Sequence, residues 1–458
     1  MEFVAIAGMI LAVAVLIIGA YRGIGALPIT LLAAIVVALT NRIDLWNGIA
    51  GTYIDGYISV YKYFLLMFCC SSLYAKLMDL SGSATAIGYQ FIDWFGKKNV
   101  MLVSTLVISV LTYGGVSLFV VVYAVAPIMF LLFKEADLPR HLTMACLITG
   151  SASYTMTAMP GTPSLTNAIP TTYLGTTLTA APIMGIIATI AMFGLAMVYM
   201  KWAEKKARAN NEHWTYPDKV DPKLYEVKDR STLPNIYKAF APLITLVVII
   251  VAGSQLKMTT TSIVDGVEVT NTVARYTGVQ LAVVGMVIAA AMTYLLNLNK
   301  FHGKDMKAIV TSGFEGGIDG IGGLAGVSAF GAVVASSDAY KGIVDYIGTM
   351  NMNPYLLGVV ATMLISAITG SSSGGLRIMF TSLKDTFLSS NANLPVLHRL
   401  TAISADALDT LPHSPGLFVM LDVLGLEHKN AYRHVFWCST LIPLFVTAVL
   451  TLISVLFL

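Results

Sequence analysis

Two carboxylates, a histidine and two prolines lie close together inside an otherwise apolar run: Asp406 to Gly416 reads DALDTLPHSPG. Prolines at 412 and 415 cannot continue a helix ladder, because proline has no N–H and its ring clashes one turn back. The freed backbone groups need partners, and inside a membrane such breaks survive only against protein or a wet cavity. A buried carboxylate and a histidine are the side chains best suited to take up and release a proton near neutral pH. Asp409 and His413, with Asp406 nearby, are therefore the candidates for proton coupling. The break leaves open how Asp409 and His413 face each other.

A near-copy of this stretch lies in the first half. Thr157 to Pro163 reads TAMPGTP and Asp409 to Pro415 reads DTLPHSP, 252 residues later. Asp93 and Gly96 match Asp345 and Gly348 at the same offset, and Leu138-Pro139 resembles Leu394-Pro395. Each break presents carbonyls and a hydroxyl, from Thr162 and Ser414, with Gly161 and Asn167 close by. Such groups can bind a hydroxyl, a water or a cation.

Two further apolar stretches are interrupted by small polar residues. Residues 100–133 carry Gly114, Gly115 and Ser117; residues 355–390 carry Ser371, Ser372, Ser373 and Gly374. Each leg is short for a span, and glycines at the turn suit a re-entrant hairpin. A helix starting at such a tip directs amides and a partial positive charge at its neighbour, which favours a carboxylate. Arg377, just past the second tip, can fork onto a carboxylate, either the substrate's or that of Asp406 or Asp409, or it can snorkel to the interface. Asp319 lies among the glycines of 313–326, which suggest a tightly packed, flexible helix.

The elements that must hold these groups are membrane helices. The chain has 458 residues, 56% hydrophobic and 12% charged, with a mean hydropathy of +0.76. A soluble domain carries about a quarter charged residues. The expected spans lie near 3–20, 25–41, 57–78, 180–200, 237–254, 277–296, 308–335 and 433–457. The first is expected to be a retained helix, since no basic segment precedes it. Broken helices are expected at about 142–170 and 397–427. The fold class is thus an all-α polytopic membrane protein of two inverted repeats, each with a re-entrant hairpin and a broken helix. The first repeat covers 1–200, a polar loop 201–238, and the second repeat 239–458. The loop holds nine Lys and Arg. Placing it in the cytoplasm puts most of the chain's basic residues inside and both termini outside.

Cys69, Cys70, Cys146 and Cys438 lie in apolar segments with no metal or disulfide spacing. No metal, cofactor or nucleic-acid site is expected. No HExxH or nucleotide loop points to an enzyme. Glycine-rich tips alone would suit a channel, but acidic and histidine groups at a break suit a stoichiometric carrier.

The segments LTYGGVSLFVVVYAV, AMPGTPSLTNAIPTT, TGSSSGGLRI and DTLPHSPG resemble the D-beta-hydroxybutyrate permease branch of the gluconate permease (GntP) family, within the ion transporter superfamily. The resemblance runs from Gly19 to the C-terminus. It implies uptake across the cytoplasmic (inner) membrane of a small hydroxy-carboxylate such as 3-hydroxybutyrate, usually with protons, by a homodimer with moving transport domains. Where that branch has an acid in the first break, this chain has Thr157, and it adds Arg377 and Asp406. The leading expectation is a proton-coupled symporter. The alternatives are a sodium-coupled di- or tricarboxylate or sugar-acid carrier and, more remotely, an anion channel.

Overall fold

The computed structural model describes residues 2–22, 24–96, 99–113, 118–162, 164–216, 230–264, 267–276, 278–350 and 352–457. The middle of the basic loop, 217–229, lies outside them.

The first half runs α1 (Glu2–Tyr21), α2 (Ala26–Thr40), α3 (Ile54–Leu80, entered through a π-helical turn, Asn47–Tyr53), α4 (Ser83–Phe95), α5 (Val100–Tyr113), α6 (Leu118–Glu135), α7 (Leu142–Ala152), α8 (Tyr154–Thr157), α9 (Leu165–Leu174) and α10 (Pro182–Ala209). The second half runs α11 (Ile236–Gln255), strands β1 (Lys257–Val264) and β2 (Val267–Ala274), α12 (Gly278–Leu296), α13 (Leu298–Phe301), α14 (Met306–Ser336), α15 (Asp338–Thr349), α16 (Pro354–Thr369), α17 (Ser372–Leu388), α18 (Leu394–Ala407), α19 (Pro415–Leu424), α20 (His428–Val435) and α21 (Ile442–Phe457). The expected helical membrane protein is what forms. The sequence reading did not anticipate the antiparallel β1–β2 ribbon, which pairs Lys257 with Ala274 through Val264 with Val267. Threonine and valine dominate both strands, and β-branched residues favour a pleated backbone.

Among the described residues, six helical runs are long and apolar enough to cross a membrane: Phe3–Tyr21, Asn47–Leu80, Pro182–Ala209, Val279–Leu296, Met306–Ser336 and His428–Phe457. The expected spans at 25–41 and 237–254 are helical, but their apolar stretches are shorter, Ala26–Thr40 and Ile236–Ile250. At 1.5 Å per residue, α2 reaches only about 22 Å, less than the ~30 Å hydrocarbon core.

Several helices begin 252 residues apart in the two halves: α2 at Ala26 and α12 at Gly278, α3 at Ile54 and α14 at Met306, α7 at Leu142 and α18 at Leu394. The order of elements between them also corresponds. α14 runs unbroken through its glycines, which serve to seat it on α3. A Cβ at Gly317 would lie 2.5 Å from the Cα of Cys69, and one at Gly313 3.0 Å from the Cα of Leu73. Without a hydrophobic drive between helices in lipid, such close backbone approach supplies the van der Waals contact. Gly317→Val is therefore expected to destabilise the protein by about 1–3 kcal/mol through overpacking. A thermal melt in detergent measures this, and an unchanged midpoint would show that α3 and α14 can separate freely.

Candidate functional site

The first broken helix stops early. Ser153 leaves helical geometry (φ −120°, ψ −124°), α8 adds one turn, the chain is irregular over 158–162, and Ser164 caps α9. Gly161 sits at φ +87°, a left-handed conformation that favours glycine. The second broken helix stops at Ala407 and restarts with Pro415 at the first helical position, where its missing N–H does no harm. Both interruptions fall within the expected stretches, between Thr157 and Leu165 and between Ala407 and Pro415.

The hairpin of α16 and α17 turns tightly. Gly370 ends α16 in the left-handed region, and the Ser371 hydroxyl caps α17 by accepting the Gly374 N–H at 3.2 Å. A Cβ at Gly375 would lie 2.1 Å from Ser366 Oγ, so glycine is what lets the two legs touch. This tip is laced to the second break. His413 Nε2 donates to the Ala367 carbonyl at 2.9 Å, and Ser414 Oγ donates to the Gly370 carbonyl at 3.2 Å. From the other side, His428 Nε2 donates to the Pro412 carbonyl at 2.9 Å.

The buried acids sit in the same place. Asp406 is 1% exposed; one oxygen accepts from Ser439 Oγ at 3.2 Å and the other has no partner. Asp409 is half-buried and faces the hydroxyl and amide of Ser372, in the first turn of α17. The N-terminal end of α17, expected to attract a substrate carboxylate, thus has the protein's own Asp409 beside it. Asp409 Oδ1, His413 Nδ1 and, at the first break, Thr162 Oγ1 are buried without partners.

The first hairpin reaches both breaks. Tyr113, at the end of α5, donates from its hydroxyl to the Pro160 carbonyl at 3.2 Å. Leu118, at the start of α6, lies 3.3 Å from the Cβ position of Gly416. Gly114, Gly115 and Ser117 themselves lie outside the described residues.

A residue that no motif marked ties the second broken helix to the first break. Arg399, on α18, is 0% exposed and uses all its N–H groups on neutral acceptors. Nη1 donates to the Thr157 carbonyl (2.9 Å) and Asn167 Oδ1 (3.0 Å). Nη2 and Nε donate to the carbonyls of Leu178 and Ala180, at 2.9–3.2 Å. Asn167 completes the junction. Its Nδ2 donates to the carbonyls of Thr162 and Leu178, both at 2.8 Å, and its Oδ1 also accepts from His398 Nε2 at 3.0 Å. The amide is saturated and acts as a brace. These partners fix the His398 tautomer: Nε2 carries the proton, and Nδ1 accepts from the Thr176 hydroxyl at 2.6 Å. The signal for this junction was the adjacent His-Arg pair inside the apolar run 394–407, an ionisable pair where lipid-facing residues are greasy.

Arg377 is exposed, and among the described residues neither Asp406 nor Asp409 pairs with it. The proposed ion pair with those acids is therefore not formed in this structure. Ser373 lies beside the tip and Asp319 is exposed on α14.

A second polar cluster fastens the chain after α10. The rings of His141 and His434 stack with centroids 5.0 Å apart, and their facing nitrogens are 2.8 Å apart. His141 Nε2 meets Glu212 at 2.6 Å, and His434 Nδ1 meets the Tyr199 hydroxyl at 2.8 Å. Burial holds the His141 ring below its ordinary value of 6.5, against the pull of Glu212. Burial acts upward on Glu212, but hydrogen bonds from His141 and Asn210 outweigh it, so its carboxyl is held low. Both shifts favour attachment at neutral pH. As pH falls below 6.5 the detached state takes up a proton at His141 first, and the Glu212 contribution is lost further down. Hydrogen exchange across 210–216, corrected for intrinsic rates, is expected to rise between pH 7.5 and 5.5. Equal protection at both would refute the coupling.

The chain matches the GntP family permease over residues 1–456. It is 27% identical over 465 aligned residues to an uncharacterized transporter, YxjC, of Bacillus subtilis (strain 168), covering 97% of this chain and 98% of that one. An uncharacterized permease of Haemophilus influenzae is 22% identical, over 73% of this chain and 68% of that one. The crystal structure of the Alcanivorax borkumensis YdaH transporter overlaps 97% of this chain and 98% of its own, with a TM-score of 0.44 and 14% identity. The family match spans nearly the whole chain, across the long apolar helices and both breaks: the chain belongs to the GntP permease family and is a multi-pass membrane transporter.

Proposed function

We propose that this protein is a proton-coupled symporter for a short hydroxy-monocarboxylate, with 3-hydroxybutyrate the leading candidate. The observation that carries this reading is the set of buried, unpartnered polar atoms at the two breaks: Thr162 Oγ1 at the first, and Asp406 Oδ2, Asp409 Oδ1 and His413 Nδ1 at the second. A proton taken by Asp409 or His413 and a cargo held beside Gly161, Thr162, the tips and Ser414 would bind in one place. With no ion pair to Asp406 or Asp409, contact with the substrate and snorkelling to the interface are the roles left for Arg377, and the first is the one proposed.

The halves are read as inverted repeats, with the breaks near mid-membrane. The distribution of basic residues favours loop 201–238 in the cytoplasm, and a homodimer in the cytoplasmic membrane is the proposed assembly. Alternating access then moves the hairpins and broken helices against the long helices.

Uptake of a labelled hydroxy-acid panel into proteoliposomes, with imposed pH or sodium gradients, tests the reading. Concentration of a hydroxy-monocarboxylate on a pH gradient alone is the expected result. Uptake that ignores pH and follows sodium would assign the free oxygens, Thr162 Oγ1 included, to a cation. Unitary currents would indicate a channel.

A further inference from the structure

The polar cluster after α10 encloses a cavity of about 460 Å³. Small-molecule sites run from about 300 to 1,000 Å³. Three elements wall it: the turn before α7 gives Arg140 and His141, the segment after α10 gives Glu212 and His213, and α20 gives Lys429 and Arg433. Basic residues are ordinary at a cytoplasmic membrane surface, but here they converge on a hollow. Arg140 is only 9% exposed, so its charge is largely withdrawn from water. Arg433 places Nε 3.3 Å from His434 Nε2 and Nη2 3.4 Å from His141 Nε2, and Nη1 has no partner among the described residues. Glu212 is hydrogen-bonded on both oxygens, one to His141 at 2.6 Å and the other to Asn210 Nδ2 at 3.1 Å, with Arg433 Nη2 3.9 Å away. Behind the wall, Glu427 pairs with Lys429 at 2.6 Å and Asp137 with His213 at 2.7 Å. The wall thus sets three fixed cations against one acid whose oxygens are both engaged. Guanidiniums fork onto phosphate oxygens, and an ammonium adds a point charge. A carboxylate offers two oxygens to such a set and a phosphate group three, so phosphate is the chemistry that can use all three cations.

We infer that this pocket is a second site, separate from the transport site, which binds a phosphate group and restrains the second break through α20. A phosphate between Arg140 on one wall and Lys429 and Arg433 on another ties α20 to the start of α7 and holds the segment 212–215 over both. α20 is eight residues, about 12 Å, long. Its first residue, His428, donates to the Pro412 carbonyl at 2.9 Å. An occupant that fixes Arg433 therefore also fixes the side chain that holds a free carbonyl of the break. One short helix packed at both ends is a contiguous physical link between the two places. The phosphate comes either from a small soluble compound or from the headgroup of an anionic phospholipid, since both present the same group at a membrane surface. None of this depends on which ion or cargo the protein carries.

The test uses the purified full-length protein in detergent, titrated with inorganic phosphate against chloride at pH 7.5 and constant ionic strength. Binding is read by calorimetry, and hydrogen exchange is followed across 210–216, 428–435 and 408–414. Phosphate is expected to bind saturably and to slow exchange in all three segments. Arg433→Gln removes a charge-assisted fork and is expected to weaken binding about tenfold or more. Lys429→Gln, at an exposed position, is expected to weaken it by a smaller factor, and Lys205→Gln, exposed on α10 outside the pocket, to leave it unchanged. A second arm places the protein in phosphatidylcholine nanodiscs with and without phosphatidylglycerol. If inorganic phosphate does not bind but phosphatidylglycerol slows exchange in the same segments, and Arg433→Gln abolishes the effect, the group is a lipid headgroup and the inference holds. No effect from either source, parent-like binding in Arg433→Gln, or a loss in Lys205→Gln as large as in Arg433→Gln would each overturn it. Slower exchange at 428–435 with none at 408–414 would overturn the link to the break.

Discussion

Asp409→Asn is expected to abolish accumulation driven by a pH gradient while leaving substrate exchange intact. Asparagine keeps the shape of the side chain and can still meet Ser372, but it cannot gain or lose a proton. One proton per cargo allows a gradient of one pH unit to drive up to about a tenfold concentration ratio. In the variant that ratio should fall to unity. His413→Gln is the comparison. His413 already donates from Nε2 to the Ala367 carbonyl, a bond that ties the second break to the hairpin tip. Its glutamine variant is expected to weaken transport without uncoupling it. If both variants still concentrate substrate on a pH gradient, the proton is carried elsewhere.

The largest stability effect is expected at Asn167. One side chain makes four hydrogen bonds there, to the carbonyls of Thr162 and Leu178 and from His398 and Arg399. Leucine has similar size and none of these groups. Each buried group left without a partner costs about 1–3 kcal/mol, so Asn167→Leu is expected to cost about 4 kcal/mol or more. Thermal unfolding in detergent, followed by tryptophan fluorescence or loss of the monodisperse peak, measures it. A variant that melts with the parent would show that the junction between the two broken helices contributes little, and with it the account of how the two halves are held together.

The sequence by itself determined the parts that depend on local chemistry. Prolines at 160, 412 and 415 forbid a continuous ladder, and the helices do stop at Thr157 and Ala407 and resume at Leu165 and Pro415. Glycine and serine at 370–375 announced a tight turn, and the turn is there. The offset of 252 residues between the two breaks also sets the starts of three pairs of helices. Composition alone pointed to a membrane protein, because a soluble domain carries about a quarter charged residues and this chain of 458 residues carries 12%.

Tertiary structure decided which polar groups meet. Arg377 looked like the buried cation because it follows a hairpin tip, yet it is exposed; Arg399 is the buried one. Local pattern does not say how deep a helix lies; packing against α8, α9, α16, α17 and α21 buries α18 on every side from Val396 to Ala407, Arg399 included. Asn167 looked like a substrate ligand because it follows the first break, but its amide is spent on Arg399, His398 and two carbonyls more than ten residues apart in sequence. Asp409 could have faced the substrate, Arg377 or a helix end. It faces the helix end, since the hairpin of the second half folds back onto its own break, a contact across more than thirty residues that no local pattern encodes.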